Sequence, residues 1–235
     1  MDILILGHKG MLGHMVVKYL KSQEFKITTP NNRWPNTQEL LNYKGDFIIN
    51  CIANIPNRKD KFSINYELPI WLDTNLDCNI IHPGTELTST KGYGLSKTIA
   101  SKFIINKGKR TKMIETSILG PELKTHRSLF EWFLNSQKTV KGQTHNYWSG
   151  ITTLEWAKIC EGLILDWDNK PKSIKPFTNC ISKYDVLNII KDVFNKKITI
   201  QKDPNIKINR CFKGNIKTKN LKSQVIELKE FYYGI

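Results

Sequence analysis

Short apolar runs alternate with helix-period stretches over roughly the first 120 residues, and this alternation predicts an open α/β unit. The run from Asp2 to Leu6 reads as a buried first strand. Met11, Leu12, Met15, Val16 and Leu20 then repeat with helical period. Further strands are predicted over residues 25–29, 46–53, 79–82 and 111–117, with helices over 37–41, 62–73 and 93–105. Pro69 weakens the second of these helices by removing an amide donor. Beyond Pro121 the pattern changes. Leu129, Phe130, Trp132, Phe133 and Leu134 form an apolar helical patch that predicts a smaller lobe. Thr152 or Thr153 caps a helix carrying Trp156, Ile159, Cys160, Leu163 and Ile164, and a further helix spans 182–194. A tail rich in lysine and isoleucine follows. The predicted organisation is a main unit over 1–120, the first part of a lobe over 121–150 and a return to the main unit over 151–176. Residues 177–235 supply the rest of the lobe and the tail.

Composition sharpens this picture. With 235 residues and 40% hydrophobic positions, the chain can build one large α/β unit with a modest lobe. No long apolar span predicts a membrane crossing, and the start lacks the pattern of a secretion leader. Cys51, Cys78, Cys160, Cys180 and Cys211 are odd in number and widely spaced, which predicts reduced thiols in a cytoplasmic protein. The formal charge of +15 invites a nucleic-acid reading. The lysines are scattered, however, and no zinc-finger or RNA-binding signature accompanies them, so no specific nucleic acid is expected. His82, His126 and His145 lack metal-ligand spacing, and no bound metal is expected.

Candidate chemistry gathers in two places. Gly7, Gly10 and Gly13 lie between the first strand and its helix, the context in which a glycine turn cradles a dinucleotide pyrophosphate at a helix start. No Lys-Ser or Lys-Thr follows the last glycine, which argues against a P-loop. The end of the second strand, Pro30-Asn31-Asn32-Arg33, offers no carboxylate for a ribose 2′-hydroxyl. Arg33 suits a 2′-phosphate, with Thr29 and Asn31 adding hydrogen bonds, and so favours NADP over NAD. Asn50 and Ala53, at the end of the third strand, border the cofactor edge unless Asn50 caps backbone groups. Tyr93 and Lys97 lie four residues apart, on one face of a helix. There an ammonium favours the phenolate and equips Tyr93 to protonate a carbonyl oxygen.

Several stretches together resemble the extended short-chain dehydrogenase/reductase superfamily, and more narrowly the dTDP-4-dehydrorhamnose reductases and related nucleotide-sugar 4-ketoreductases. They are residues 7–13, 50–53, 65–69, Thr85-Glu86, 93–97, 117–122, 147–155 and 181–185. The resemblance implies a Rossmann-like parallel sheet flanked by helices with a smaller substrate-binding lobe. It implies a cofactor along Gly7, Lys9, Gly10, Met11, Leu12 and Gly13, and a nucleotide-linked keto sugar as substrate. Tyr93 would be the proton donor, Lys97 its electrostatic partner and a ribose contact, and Thr85 the hydroxyl that orients the carbonyl. A homodimer is compatible with it. Substrate contacts are expected from Glu86, Tyr147, Trp148 and Arg210, with Arg127 a further phosphate candidate. Glu122 either bounds the sugar or caps a local turn. The chain departs from the pattern in three respects: only seven residues separate Thr85 from Tyr93, Glu86 replaces a common aspartate, and Gly84 replaces a common serine.

Overall fold

A computed structural model describes residues 1–30, 33–56, 62–86 and 91–235. The elements run β1 (Asp2–Leu6), α1 (Met11–Ser22), β2 (Lys26–Thr28), α2 (Gln38–Leu41), β3 (Phe47–Asn50), α3 (Ile64–Asn75) and β4 (Asn79–Gly84). They continue with α4 (Gly92–Asn106), β5 (Thr111–Glu115), β6 (Ile118–Leu119), α5 (Leu129–Asn135), β7 (Val140–Trp148), β8 (Ile151–Thr152) and α6 (Thr153–Leu165). The last are β9 (Ser173–Ile174), β10 (Pro176–Phe177), β11 (Ile181–Ser182), α7 (Lys183–Val193), β12 (Ile200–Arg210), β13 (Ile216–Lys217) and α8 (Leu221–Tyr233).

Two compact units result, one of residues 1–115 with 157–174, the other of residues 116–156 with 175–235. The first holds a six-stranded sheet in the order β2-β1-β3-β4-β5-β9, parallel throughout. This is the expected Rossmann-like α/β arrangement. Strand order reverses between β1 and β3, and in such sheets ligands bind beyond the carboxyl ends at that point. Leu4, Leu6, Ile48 and Ile80 on one face of the sheet pack with Leu68, Leu72 and Leu76. Helix α3 continues through Pro69, which is buried in its interior. Pro83 lies within β4, although a proline cannot donate to a ladder. Its position is tolerated because the β3 pairing ends at Ile81, leaving only β5 alongside.

The second unit holds a mixed three-stranded sheet, β11-β7-β12, with two short parallel pairs, β6 with β8 and β10 with β13. Ser182 caps α7 through a reciprocal box with Asp185. Thr152 Oγ1 accepts the Glu155 N–H at 3.2 Å and caps α6.

Three expectations need correction. Strand β3 ends at Asn50, not at Ala53, because Asn50 Oδ1 accepts the Ile52 N–H at 3.0 Å and turns the chain. The lysine-rich tail contains an eleven-residue strand, β12, and a thirteen-residue helix, α8. The strand escaped notice because it is almost wholly exposed and its register shifts between Asp203 and Lys207. Finally, Cys180 and Cys211 form a disulfide, leaving Cys51, Cys78 and Cys160 free. Their separation of 31 residues conceals a Cα–Cα distance of 5.5 Å.

Candidate active site

The glycine turn lies beyond β1, at the point of strand reversal. Gly7 has a φ of +73°, which other residues rarely adopt. A Cβ there would also meet the Cys51 carbonyl at 2.9 Å. A Cβ on Gly13 would come within 2.2 Å of the Gly7 carbonyl oxygen, so α1 lies directly against the turn. Gly10 is the N-cap of α1, and its own N–H donates to Gly7 O at 2.9 Å. The N-cap glycine offers no side-chain cap, and the first turn carries no acidic residue. An exposed glycine beside an uncapped helix start suits a dinucleotide pyrophosphate, which needs close backbone approach and amide donors. Lys9 is exposed, Met11 half-buried and Leu12 buried.

Around the same edge, Arg33 is exposed and Ala53 half-buried. Asn31, its expected companion, lies outside the described residues. Leu6, Pro30, Trp34, Leu40, Ile52 and Leu68 line a small, mainly apolar pocket there. Asn50 takes up the backbone-capping alternative. It is fully buried, with Oδ1 taken by Ile52 and Nδ2 lying 3.2 Å from His82 Nδ1. Its amide thus shapes the strand end. Because Nδ2 must donate, Nδ1 of His82 accepts and the neutral ring carries its proton on Nε2. That buried nitrogen has no hydrogen-bond partner among the described residues. Burial, then the positive charge of Lys97, holds the His82 pKa far below its ordinary value.

Thr85, Tyr93 and Lys97 collect at the end of β4. Lys97 is only 4% exposed and donates from Nζ to Pro83 O at 2.9 Å. Burial lowers its pKa to about 8, with Cys51 acting in the opposite sense. Tyr93 is half-buried, its ring edge-on to Phe62 at 6.1 Å. The expected lowering of its phenol is not found. Burial, then the Glu86 carboxylate, pushes it up to about 12. Thr85 Oγ1 donates to Glu86 Oε2 at 3.4 Å. Residues 87–90, between Glu86 and α4, lie outside the described set. Gly84 has a structural reason to be glycine, since a Cβ would meet Glu115 Cγ at 2.4 Å. Glu115 is itself fixed: Ser101 donates to it at 3.0 Å, and Ser173 donates to its other oxygen.

Two positioning residues were missed. Asn65 of α3 is fully buried; its Nδ2 donates to Asn54 O at 2.9 Å and to Ser96 Oγ at 3.0 Å, while Oδ1 accepts the Asn54 N–H at 2.8 Å. Ser96 in turn donates to Tyr93 O at 2.7 Å. One amide therefore braces both the loop after β3 and the first turn of α4. An asparagine in the same helical stripe as Leu68 and Leu72 was the available signal.

The second unit separates the remaining candidates. Trp148 pairs with Ile181 of β11 and Arg210 of β12, so these three share one face of the sheet. Tyr147 pairs with Ser182 and Asn209 and points to the opposite face. Arg210 is exposed, and its charge adds to burial in lowering the pKa of Lys183 at the start of α7. Arg210 and the Trp148 indole thus share one face, and the Arg210 charge is felt by Lys183. Glu122 is engaged locally. Its Oε2 accepts the N–H groups of Arg127 and Ser128, both at 2.9 Å, and so caps the turn before α5. The local-turn alternative holds for this residue.

No family model and no curated protein matches the sequence. Solved structures do match the fold. A dTDP-4-dehydrorhamnose reductase from Clostridium acetobutylicum superposes with a TM-score of 0.73 at 15% identity, over 99% of this chain and 100% of that one. Another from Bacillus anthracis, in complex with NADP, gives 0.70 at 12% identity over 100% and 99%. The chain shares their fold. A dTDP-glucose 4,6-dehydratase from Bacillus anthracis, in complex with NAD, gives 0.64 at 16% identity over 100% and 97%, so this architecture serves more than one reaction. Among the described residues, no helix is long and apolar enough to cross a membrane.

Proposed function

We propose that the protein reduces the 4-keto group of a nucleotide-linked deoxy sugar with NAD(P)H, preferring NADP. The reading is carried by the placement of Thr85, Tyr93 and Lys97 at the carboxyl end of β4. In a parallel sheet that is the same edge as the glycine turn after β1. The amides opening α1 would hold the pyrophosphate between Gly7 and Gly13, with Lys9, Met11 and Leu12 alongside and Ala53 at the border. Arg33 would meet the 2′-phosphate. The reduced nicotinamide, when bound, supplies hydride.

Tyr93 would protonate the carbonyl oxygen. A phenol held up at about 12 keeps its proton at neutral pH, which is the state a reductive acid requires. Lys97, one helical turn away, would stabilise the phenolate left behind. Thr85 would orient the carbonyl. Trp148 would stack on the base or sugar, and Arg210, with Lys183, would take the diphosphate.

A second reading draws on Glu86. A carboxylate beside Thr85, acting on Tyr93, is also suited to removing a proton next to a keto carbon, as an epimerase or dehydratase must. Incubation with NADPH and a panel of nucleotide-linked keto sugars separates the two. Stoichiometric NADPH oxidation with an alcohol product is expected. Isomerised or dehydrated sugar without net cofactor consumption would favour the second reading, and tight NADPH binding without turnover would sink both.

A further inference from the structure

We infer that the Cys180–Cys211 disulfide is a positioning cross-link for Arg210 and Trp148, holding the diphosphate-binding face of the second unit in register. This rests on the assignment of the nucleotide-linked substrate to that face. Cys180 immediately precedes Ile181, and Cys211 immediately follows Arg210. Both Ile181 and Arg210 pair with Trp148, from opposite sides of β7. Strands separated by a third lie roughly 9.6 Å apart, twice the ordinary spacing. The two cysteine Cα atoms are 5.5 Å apart. Strands β11 and β12 therefore draw together just past Trp148, where β7 ends. Ser149 is buried, and its carbonyl accepts the Thr178 N–H at 2.8 Å. The covalent link closes the gap that β7 leaves.

Arg210 needs this support. Strand β12 is an edge strand, and after the irregularity at Asp203–Lys207 only residues 207–210 pair with β7. Beyond them, Ser149 Oγ accepts the Phe212 N–H at 3.0 Å and donates to Phe212 O at 3.3 Å. These contacts should keep the strand attached when the cross-link is lost. They leave the end of β12 less constrained, and displacement of a positioning group by even an ångström weakens binding.

Alkylation of the unfolded, unreduced chain should tag three of its five cysteines, namely Cys51, Cys78 and Cys160. Five tagged thiols would overturn the inference. Dithiothreitol reduces the bond to two thiols while closing to its own cyclic disulfide, passing two electrons and two protons. Calorimetric titration with dTDP, UDP and GDP should then show affinity falling about five- to tenfold, in the reduced protein and in a Cys180→Ser/Cys211→Ser variant alike. NADPH affinity should stay constant, and KM for the nucleotide sugar should rise with kcat held. Arg210→Ala is the control. If it weakens diphosphate binding while loss of the cross-link does not, the positioning role is wrong and the substrate assignment stands. If it has no effect, or if none of the three diphosphates binds the oxidised protein, the substrate assignment itself is wrong. Amide exchange over residues 208–212 tests the brace without any ligand: it should accelerate at least about tenfold on reduction, and unchanged exchange would refute it.

Discussion

The carboxyl edge of the first unit and the β7–β12 face of the second are assembled in different ways. The first is made from short, contiguous pieces: a glycine turn of seven residues, a pair one helical turn apart, and strand ends that a parallel sheet places side by side. The second brings Trp148 against Ile181 and Arg210, 33 and 62 residues further along the chain, by strand register. Polar groups at the first edge are buried and braced, as with Asn65 and Lys97, whereas Arg210 is exposed on an edge strand. Under the proposed function, the half-buried Tyr93 that would give the proton is backed by the buried Lys97, and the diphosphate would be met on an open face.

Substitutions can break or sharpen this contrast. The largest effect is expected from Tyr93→Phe, which removes the transferable proton but keeps the ring against Phe62. Turnover should drop at least about 100-fold with NADPH binding intact, as fluorescence titration can check. Full turnover would eliminate Tyr93 as the acid. Lys97→Met should lower turnover by about tenfold or more and weaken cofactor binding. Lys97 also gives a pH signature. Its pKa is depressed to about 8, so its ammonium is present below that pH and lost as pH rises through it. Wild-type kcat should therefore decline on the alkaline side of about 8, and the variant should lack that limb. The neutral His82 behind it contributes no charge in this range. Thr85→Val should cost about tenfold in kcat with little change in melting temperature, and an unaltered kcat would remove Thr85 from the mechanism. The smallest effects test the open face. Trp148→Ala should raise KM by about three- to tenfold and Tyr147→Ala by less than about twofold. Equal effects would contradict the assignment of the two rings to opposite faces.

Legibility in the sequence followed the same division. The strand–glycine–helix unit and the tyrosine–lysine pair depend on neighbours a few residues away, and residue spacing reports such neighbours directly. The identity of Asn50 was legible, but not its partner His82 on the adjacent strand. For the same reason the phenol was expected to be lowered by Lys97, while burial and Glu86 raise it. In the second unit almost nothing decisive is local. The pairing of Cys180 with Cys211 and the separation of Tyr147 from Trp148 follow from strand register, which a lysine-rich, exposed and irregular β12 conceals. Glu122 was ambiguous because a carboxylate that caps a turn and one that bounds a sugar are the same residue type.

Gly84 and Glu115 cannot be exchanged independently. A side chain at position 84 would run into Cβ and Cγ of Glu115, which is pinned between Ser101 and Ser173. In this chain the side chain at 115 thus fixes what position 84 can hold. Gly84→Ser alone should destabilise this chain, and shortening Glu115 should restore it.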